Sequence, residues 1–268
     1  MECEGISRSF RNYVDNKSTD TIVKTKRTEI LEKKKAIDDV IKAASAHKDP
    51  LSAFPAFRFY SRHGMSMYLE SGRGDKLSAP VKKYIQNLLK VNMERHYGSQ
   101  WPLEEKVKRR EMAAPEARYI FVYEVPNGSP CETSKTSDGK RTITNCLVDR
   151  GTMVGFAHFR FVREEGIPVL YVYELQLEAR VRGMGLGKFL MQLLENIAQK
   201  SDMGAVMLTV QKSNFGAINF YTSVLRYMLS MTSPSRIEPL VGIEKSYIIL
   251  CKTFNQEAAK AILAEENA

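Results

Sequence analysis

The stretch Pro168–Leu190, PVLYVYELQLEARVRGMGLGKFL, decides how this chain is read. From Val169 to Leu177 it is dense in β-branched, aromatic and leucine side chains, the composition of a strand. A few residues later, Gly187-Lys188-Phe189-Leu190-Met191 begins an amphipathic helix. Arg182-x-x-Gly185-x-Gly187 lies between the two. A strand that passes through a glycine-rich turn into a helix points free backbone N–H groups, and roughly half a positive charge, at whatever lies before the helix. Glycine removes the Cβ that would keep a phosphate away from the backbone, and Arg182 adds a fork-shaped cation. A lone G-x-G is most often an ordinary turn. Here the strand, the arginine, the spacing and the helix restart all point to an anion site.

This turn resembles the acetyl-coenzyme A pyrophosphate loop of the GCN5-related N-acetyltransferases, the GNAT superfamily. Further on, Val206-Met207-Leu208-Thr209-Val210 reads as a strand, and Asn214-x-x-Ala217-x-x-Phe220-Tyr221 resembles that superfamily's second marker. The resemblance implies acetyl-coenzyme A as cofactor and a strand that splays from its neighbour to hold the thioester. It assigns the cofactor to Leu175, Gln176, Leu177 and Glu178, and to Arg182, Gly183, Met184, Gly185, Leu186, Gly187, Lys188 and Phe189 in the loop and helix start. Asn214, Ala217, Phe220 and Tyr221 are assigned to the pantetheine arm.

Composition bounds the class. The 268 residues, 43% hydrophobic and 26% charged, suffice for one sizeable core. No apolar run approaches a membrane span, and MECEGISRSF lacks the basic-then-apolar order of a signal peptide. Cys3, Cys131, Cys146 and Cys251 show no C-x-x-C spacing and do not cluster with the histidines, so neither a metal site nor a disulfide framework is expected, and a reducing compartment fits. A net charge of +9 admits acidic polymers as partners, although solubility alone accounts for it.

In chain order, residues 1–20 read as disordered, and a basic amphipathic helix is expected over 21–46. Asp49-Pro50-Leu51 stops it, and Phe54, Phe57, Phe59 and Tyr60 lead into a strand ending near Leu69. Ser78-Ala79-Pro80 opens a helix running to about Tyr97, followed by Trp101 in a short loop and a charged segment, 104–111. Strands are expected over 118–125 and 152–162, separated by a polar, breaker-rich hairpin insertion, 126–150. After the organising segment come a strand at 205–210, a helix at 215–226 and closing strands near 227–231 and 246–253. The fold expectation is a three-layer α/β domain over 21–254, a mixed sheet of about seven strands with helices on both faces, followed by a tail, 255–268, able to form a polar helix.

Several segments resemble one GNAT subfamily, the histone-directed N-terminal acetyltransferases called NatD. They include Asp49-Pro50-Leu51-x-Ala53-Phe54-Pro55, His158-Phe159-Arg160-Phe161, Tyr171-x-Tyr173-Glu174-x-Gln176-Leu177-Glu178 and Ser233-Pro234-Ser235. This resemblance covers about residues 28–252. It implies transfer of acetyl to the free α-amine of histones beginning Ser-Gly-Arg-Gly, histone four and histone two-A. It also implies a place in nucleus and cytoplasm, action without an auxiliary subunit, and no need for direct nucleic-acid or membrane binding. The chain departs from the pattern in the 126–150 insertion and in Val162, which stands where the subfamily has an acidic residue, while Glu164 keeps a second one.

The chemistry asks for a base, and Glu174, the odd residue among Tyr171, Tyr173 and Leu175, is the candidate. Strict alternation would turn Tyr173 and Glu174 to opposite faces, so joint service requires a bulge. Tyr171 and Tyr173 are candidates to orient the amine, and Tyr173 or Tyr221 to protonate the leaving thiolate. By resemblance Tyr97, Trp101, Tyr173, Thr209, Thr232 and Tyr247 line the peptide site, and Glu164 meets the substrate arginine. Two other readings stay open at this stage: a lysine or small-amine acetyltransferase of the same fold, and a non-catalytic acyl-coenzyme A-binding regulator.

Overall fold

A computed structural model of the chain describes residues 27–125, 151–238 and 244–263. The expected disordered 1–20 and the insertion 126–150 lie outside the described residues. The order of elements is α1 (27–46), β1 (Phe59–Arg62), β2 (Met65–Arg73), α2 (Ala79–Tyr97), α3 (Trp101–Ala113), β3 (Arg118–Glu124), β4 (Met153–Glu164) and β5 (Ile167–Leu177). It continues with α4 (Leu186–Lys200), β6 (Ala205–Gln211), α5 (Phe215–Asn219), β7 (Met228–Leu229), α6 (Pro234–Ile237), β8 (Tyr247–Thr253) and α7 (Gln256–Ile262).

The strands form one mixed sheet ordered β1-β2-β3-β4-β5-β6-β8-β7, in which β5 and β6 are the parallel neighbours. Eight strands replace the expected seven because the apolar run ending at Leu69 folds back on itself. His63 and Gly64 both take positive φ, 52° and 74°, the backbone that a tight hairpin requires. Glu165 and Gly166, at 45° and 73°, make the equally short turn from β4 into β5.

Alternation along β3 shows how the layers are built. Ile120 and Val122 join the cluster that includes Ala44 of α1 and Leu190, Leu193 and Leu194 of α4. Tyr119, Phe121 and Tyr123 face the other way, against Ile85, Leu88 and Leu89 of α2 and Met112 of α3. α4 is the best anchored helix, burying Leu186, Leu190, Met191, Leu193, Leu194, Ile197 and Ala198. Each large side chain among them contributes about 1.5–3 kcal/mol on leaving water. α7 packs on the second face, with Ala258 and Ile262 fully buried beside Val169, Met207 and Cys251. The gap on that face between α2–α3 and α7 is where the functional side chains gather.

Two local expectations are corrected. Trp101 is not in a loop: Pro102 follows it in the first turn of α3, where a missing N–H costs nothing, and the charged run 104–111 is helical. The helix expected over 215–226 stops at Asn219 and continues as a π turn, Phe220–Val224, a distortion common beside functional sites.

Candidate active site

β5 and β6 pair only from Val169–Ala205 to Val172–Leu208. Beyond that point β5 stays with β4 as far as Leu177, while β6 stays with β8 as far as Gln211. The strands therefore part, and the backbone of β5 beyond Val172 has no β6 partner. A cleft of about 650 Å³ opens there. Leu175, Gln176 and Leu177 form one wall, and Arg182, Gly183, Gly185, Gly187 and Lys188 form its floor. Asn214, Ala217, Phe220 and Tyr221 close it from beyond β6. Glu178, Met184, Leu186 and Phe189 do not line it. Glu178 accepts from Tyr84 Oη at 3.0 Å, Leu186 is buried, and Phe189 stacks on Phe57 with ring centroids 4.8 Å apart.

The loop geometry suits an anion. Gly183 and Gly185 hold φ of 75° and 87°, and Gly185 caps α4 with no side chain bonded to the helix start. A Cβ on Gly187 would come 3.3 Å from the Phe220 ring, so a side chain here would press on the cleft wall. Arg182 does more than offer a charge. Its Nε and Nη2 donate to the Leu177 carbonyl at 3.0 and 2.9 Å, and Nη2 also donates to Asn92 Oδ1. Asn92 in turn donates to Gln176 Oε1 at 2.9 Å. The guanidinium thus ties the loop to the end of β5. Asn214 accepts from Ala217 N at 3.1 Å, capping α5 at the cleft edge. These features fit the diphosphate and pantetheine of a coenzyme A, and the residues that would hold them come from three separate elements.

A second cleft, about 800 Å³, opens on the same side of the sheet. Tyr97, Glu164, Tyr171, Tyr173, Thr209, Thr232 and Tyr247 line it. Trp101 does not: it is buried beneath α2 and reaches the cleft only through Tyr97, 5.8 Å away between ring centroids. Glu104, Glu111 and Glu244 add three carboxylates to that of Glu164, against Lys108 and Lys245. Burial and the neighbouring Glu165 raise the pKa of Glu164 above the ordinary glutamate value. The two clefts share Tyr97, Lys108, Tyr173, Thr209 and Gln211.

At this junction β5 is bulged. Val172 pairs with Phe159 and Glu174 with His158, leaving Tyr173 as the extra residue. The result is that Tyr173 and Glu174 both turn toward α2 and α3. Tyr173 stacks on His158 at 5.0 Å under the Arg160 guanidinium at 4.6 Å. Glu174, buried, meets Lys108 Nζ at 2.7 Å with one oxygen and accepts from Gln176 Nε2 at 2.9 Å with the other.

Burial opposes the charge of Lys108, yet Glu174, Tyr97 and Glu111 hold its pKa well above that of a free lysine. Burial raises the Tyr171 hydroxyl to about 12, and raises Tyr97, Tyr173 and Tyr221 as well. Each tyrosine therefore keeps its proton at neutral pH. Tyr171 Oη lies 2.6 Å from Oγ1 of Thr209, the first β6 residue past the last paired rung, Val172–Leu208.

The sequence reading passed over three residues that the structure brings here. Lys108 lies in a run of charges that reads as a solvated face, Asn92 in an ordinary stretch of α2, and Gln211 at the end of β6, where it is buried with Oε1 unpartnered. Nothing in their spacing singled them out. Among the described residues no group of three or more His, Cys, Asp or Glu is placed to hold a metal, and no helix is long and apolar enough to cross a membrane.

Comparison with known proteins agrees with this geometry. Residues 99–225, a little under half of the chain, match the sequence profile of the Acetyltransferase (GNAT) family. Solved structures with a general likeness include the PaiA N-acetyltransferase of Thermoplasma acidophilum in complex with coenzyme A, at 15% identity. That alignment covers 69% of this chain and 99% of that one, with a TM-score of 0.42. Arabidopsis thaliana Naa50 in complex with the bisubstrate analogue CoA-Ac-MVNAL is 18% identical over 69% of this chain and 99% of that one, TM-score 0.41. Arabidopsis thaliana NAA60 in complex with a bisubstrate analogue is 11% identical over 70% and 99%, TM-score 0.43. These likenesses are distant, and the assignment rests on the profile match and the topology. Residues 99–225 thus carry the profile of the GNAT acetyltransferase family, and the parted β5 and β6 and the glycine loop that opens α4 lie within that stretch.

Proposed function

We propose that this protein is an N-terminal protein acetyltransferase. It uses acetyl-coenzyme A and acts on the free α-amine of peptides beginning Ser-Gly-Arg-Gly, the start shared by histone four and histone two-A. The observation that carries this reading is the meeting of the two clefts at Tyr97, Lys108, Tyr173, Thr209 and Gln211, with Glu174 beside them. The parted strands hold a cofactor, and the wider, carboxylate-rich cleft receives a cationic peptide end.

Bound acetyl-coenzyme A supplies the acetyl group as a thioester. Glu174 takes a proton from the amine, directly or through one water, so that nitrogen can form its bond to the acetyl carbon as the carbon–sulfur bond breaks. Tyr173 or Tyr221, both protonated at neutral pH, returns a proton to the leaving sulfur. Backbone N–H groups of β5 past Val172, free of β6, are placed to stabilise charge on the thioester oxygen. An α-amine loses its proton near pH 7.7–8.0, against about 10.4 for lysine, so a carboxylate base suits the former far better. Glu164 pairs with the substrate arginine, with Val162 offering no second carboxylate. Action without an auxiliary subunit, and a place in nucleus and cytoplasm, belong to the same proposal.

Tandem mass spectrometry on three substrates tests it: a free Ser-Gly-Arg-Gly peptide with internal lysines, the same peptide N-terminally blocked, and a polyamine. Acetyl is expected on the terminal serine nitrogen of the first alone. Acetyl on lysine or polyamine would move the protein to the other amine-acetylating class, and cofactor binding without turnover would make it a regulator.

A further inference from the structure

Lys108 sits in the middle of the site with an unusual arrangement around it. Its Nζ lies 2.7 Å from Glu174 and 3.8 Å from Glu111, and it borders both clefts. Its side chain is 15% exposed and that of Glu174 5%, so water screens the pair poorly. Burial disfavours the charged form of a carboxylate, and an opposite charge in contact favours it. A protonated Glu174 could not act as a base.

The other groups around Glu174 do not replace that charge. From β4 come His158, directly across the ladder, and the Arg160 guanidinium, which lies over the Tyr173 ring. His158 is held neutral by burial and by the nearby cations Arg160 and Lys108. From α2 comes Tyr97, from β3 Tyr119 and from the π turn Tyr221, all protonated at neutral pH. β5 itself gives Tyr173 and the neutral donor Gln176, and α3 adds Glu111, whose charge would make matters worse. Lys108 is the ion-paired cation on the carboxylate.

We infer that Lys108 is a positioning residue that acts through Glu174: its ammonium keeps the buried carboxylate ionised and aimed at the junction of the two clefts. This inference rests on the reading of Glu174 as the base. Without the lysine charge the base titrates at higher pH, and the acidic limb of the rate profile moves up with it. A residue that only props α3 against the sheet would lower activity evenly across pH.

The test is the pH dependence of kcat/KM for peptide acetylation in four full-length proteins: wild type, Lys108→Met, Lys108→Arg and Glu174→Gln. Lys108→Gln, which can still hydrogen-bond to the carboxylate, stands in for the methionine variant if that one does not fold. The neutral variants should show the acidic limb displaced upward by a full pH unit or more, with most of the lost rate recovered at the alkaline end. Lys108→Arg should leave the limb near its wild-type position. The carboxyl 13C resonance of Glu174 should titrate in step with the limb. A limb and resonance unmoved in a folded neutral variant overturn the inference. In Glu174→Gln only the rise set by the substrate α-amine, near pH 7.7–8.0, should remain. A further acidic limb kept there at its wild-type position shows instead that another group is the base, and the reading of the base fails first.

Discussion

The hydroxyl of Tyr60 donates a hydrogen bond to the carbonyl oxygen of Met184, so the outermost strand of the sheet holds the loop that opens α4. The contact spans 124 residues of sequence, and Tyr60 also packs against Phe189 on the first turn of that helix, 5.0 Å between ring centroids. The anion site is thus built from the edge strand β1 as well as from the loop between β5 and α4.

Gly185 is the sensitive point of that arrangement. It holds φ of 87°, and a Cβ there would stand 2.9 Å from the Tyr60 hydroxyl. Gly185→Ala should therefore lose about 1–2 kcal/mol of stability through backbone strain and weaken acetyl-coenzyme A binding as the loop shifts. At Gly187 the backbone is ordinary helix and the neighbour is the movable Phe220 ring, so Gly187→Ala should lower cofactor affinity with little loss of stability. Thermal melts paired with titration calorimetry separate the two. Wild-type cofactor affinity in both variants would remove the anion site from this loop.

His158 makes the fold acid-sensitive. It lies between Tyr119 and Tyr173, with ring centroids 5.0 Å from each, and neither of its nitrogens has a hydrogen-bond partner. Burial, then Arg160 and Lys108, push its pKa well below 6.5. Below that pH the unfolded chain binds a proton that the folded chain refuses, so stability falls as pH falls, by up to about 1.4 kcal/mol per pH unit. His158→Phe keeps the stack and removes the proton. Its unfolding free energy between pH 6.5 and 5 should be flatter than that of wild type in urea titrations, and parallel curves would place the acid sensitivity elsewhere.

Glu164 should govern recognition of a substrate arginine rather than the chemical step. A hydrogen-bonded ion pair to a charged group is worth about 1.5–3 kcal/mol, so Glu164→Gln should raise KM for Ser-Gly-Arg-Gly peptide about tenfold or more and leave kcat nearly unchanged. Because its pKa is raised by burial and by Glu165, the carboxylate loses its charge earlier on acidification than an ordinary glutamate. KM in the wild type should accordingly climb sooner as pH falls. A Ser-Gly-Ala-Gly peptide should show neither effect, and equal losses on both peptides would contradict the assignment.

How far the sequence reaches depends on whether a feature is local. The strand–loop–helix at Pro168–Leu190 is legible because glycines, an arginine and two hydrophobic patterns meet within it. The need for a bulge at Tyr173 and Glu174 also follows from alternation, and the ladder contains it. The point where β5 leaves β6 is set by pairing across 36 residues and leaves no local mark. Lys108 was illegible for a related reason: one lysine among the charges of α3 looks solvated until helix packing sets it against β5. Trp101 shows the opposite error, since a lone aromatic beside two helices reads as cleft wall when it is packed beneath one.

The claim at the centre of this account is that Glu174 takes the proton from the α-amine. Single-turnover acetylation of Ser-Gly-Arg-Gly peptide by Glu174→Gln, started from enzyme preloaded with acetyl-coenzyme A and followed at pH 7 and pH 9, tests it most directly. Glutamine keeps the shape and a hydrogen bond but accepts no proton, so the rate at pH 7 should fall on the order of 10²–10⁴-fold. At pH 9, where the amine is already neutral, much of that loss should return, and cofactor affinity should match wild type. A variant that keeps most of the wild-type rate at pH 7 would contradict the account and move the base elsewhere.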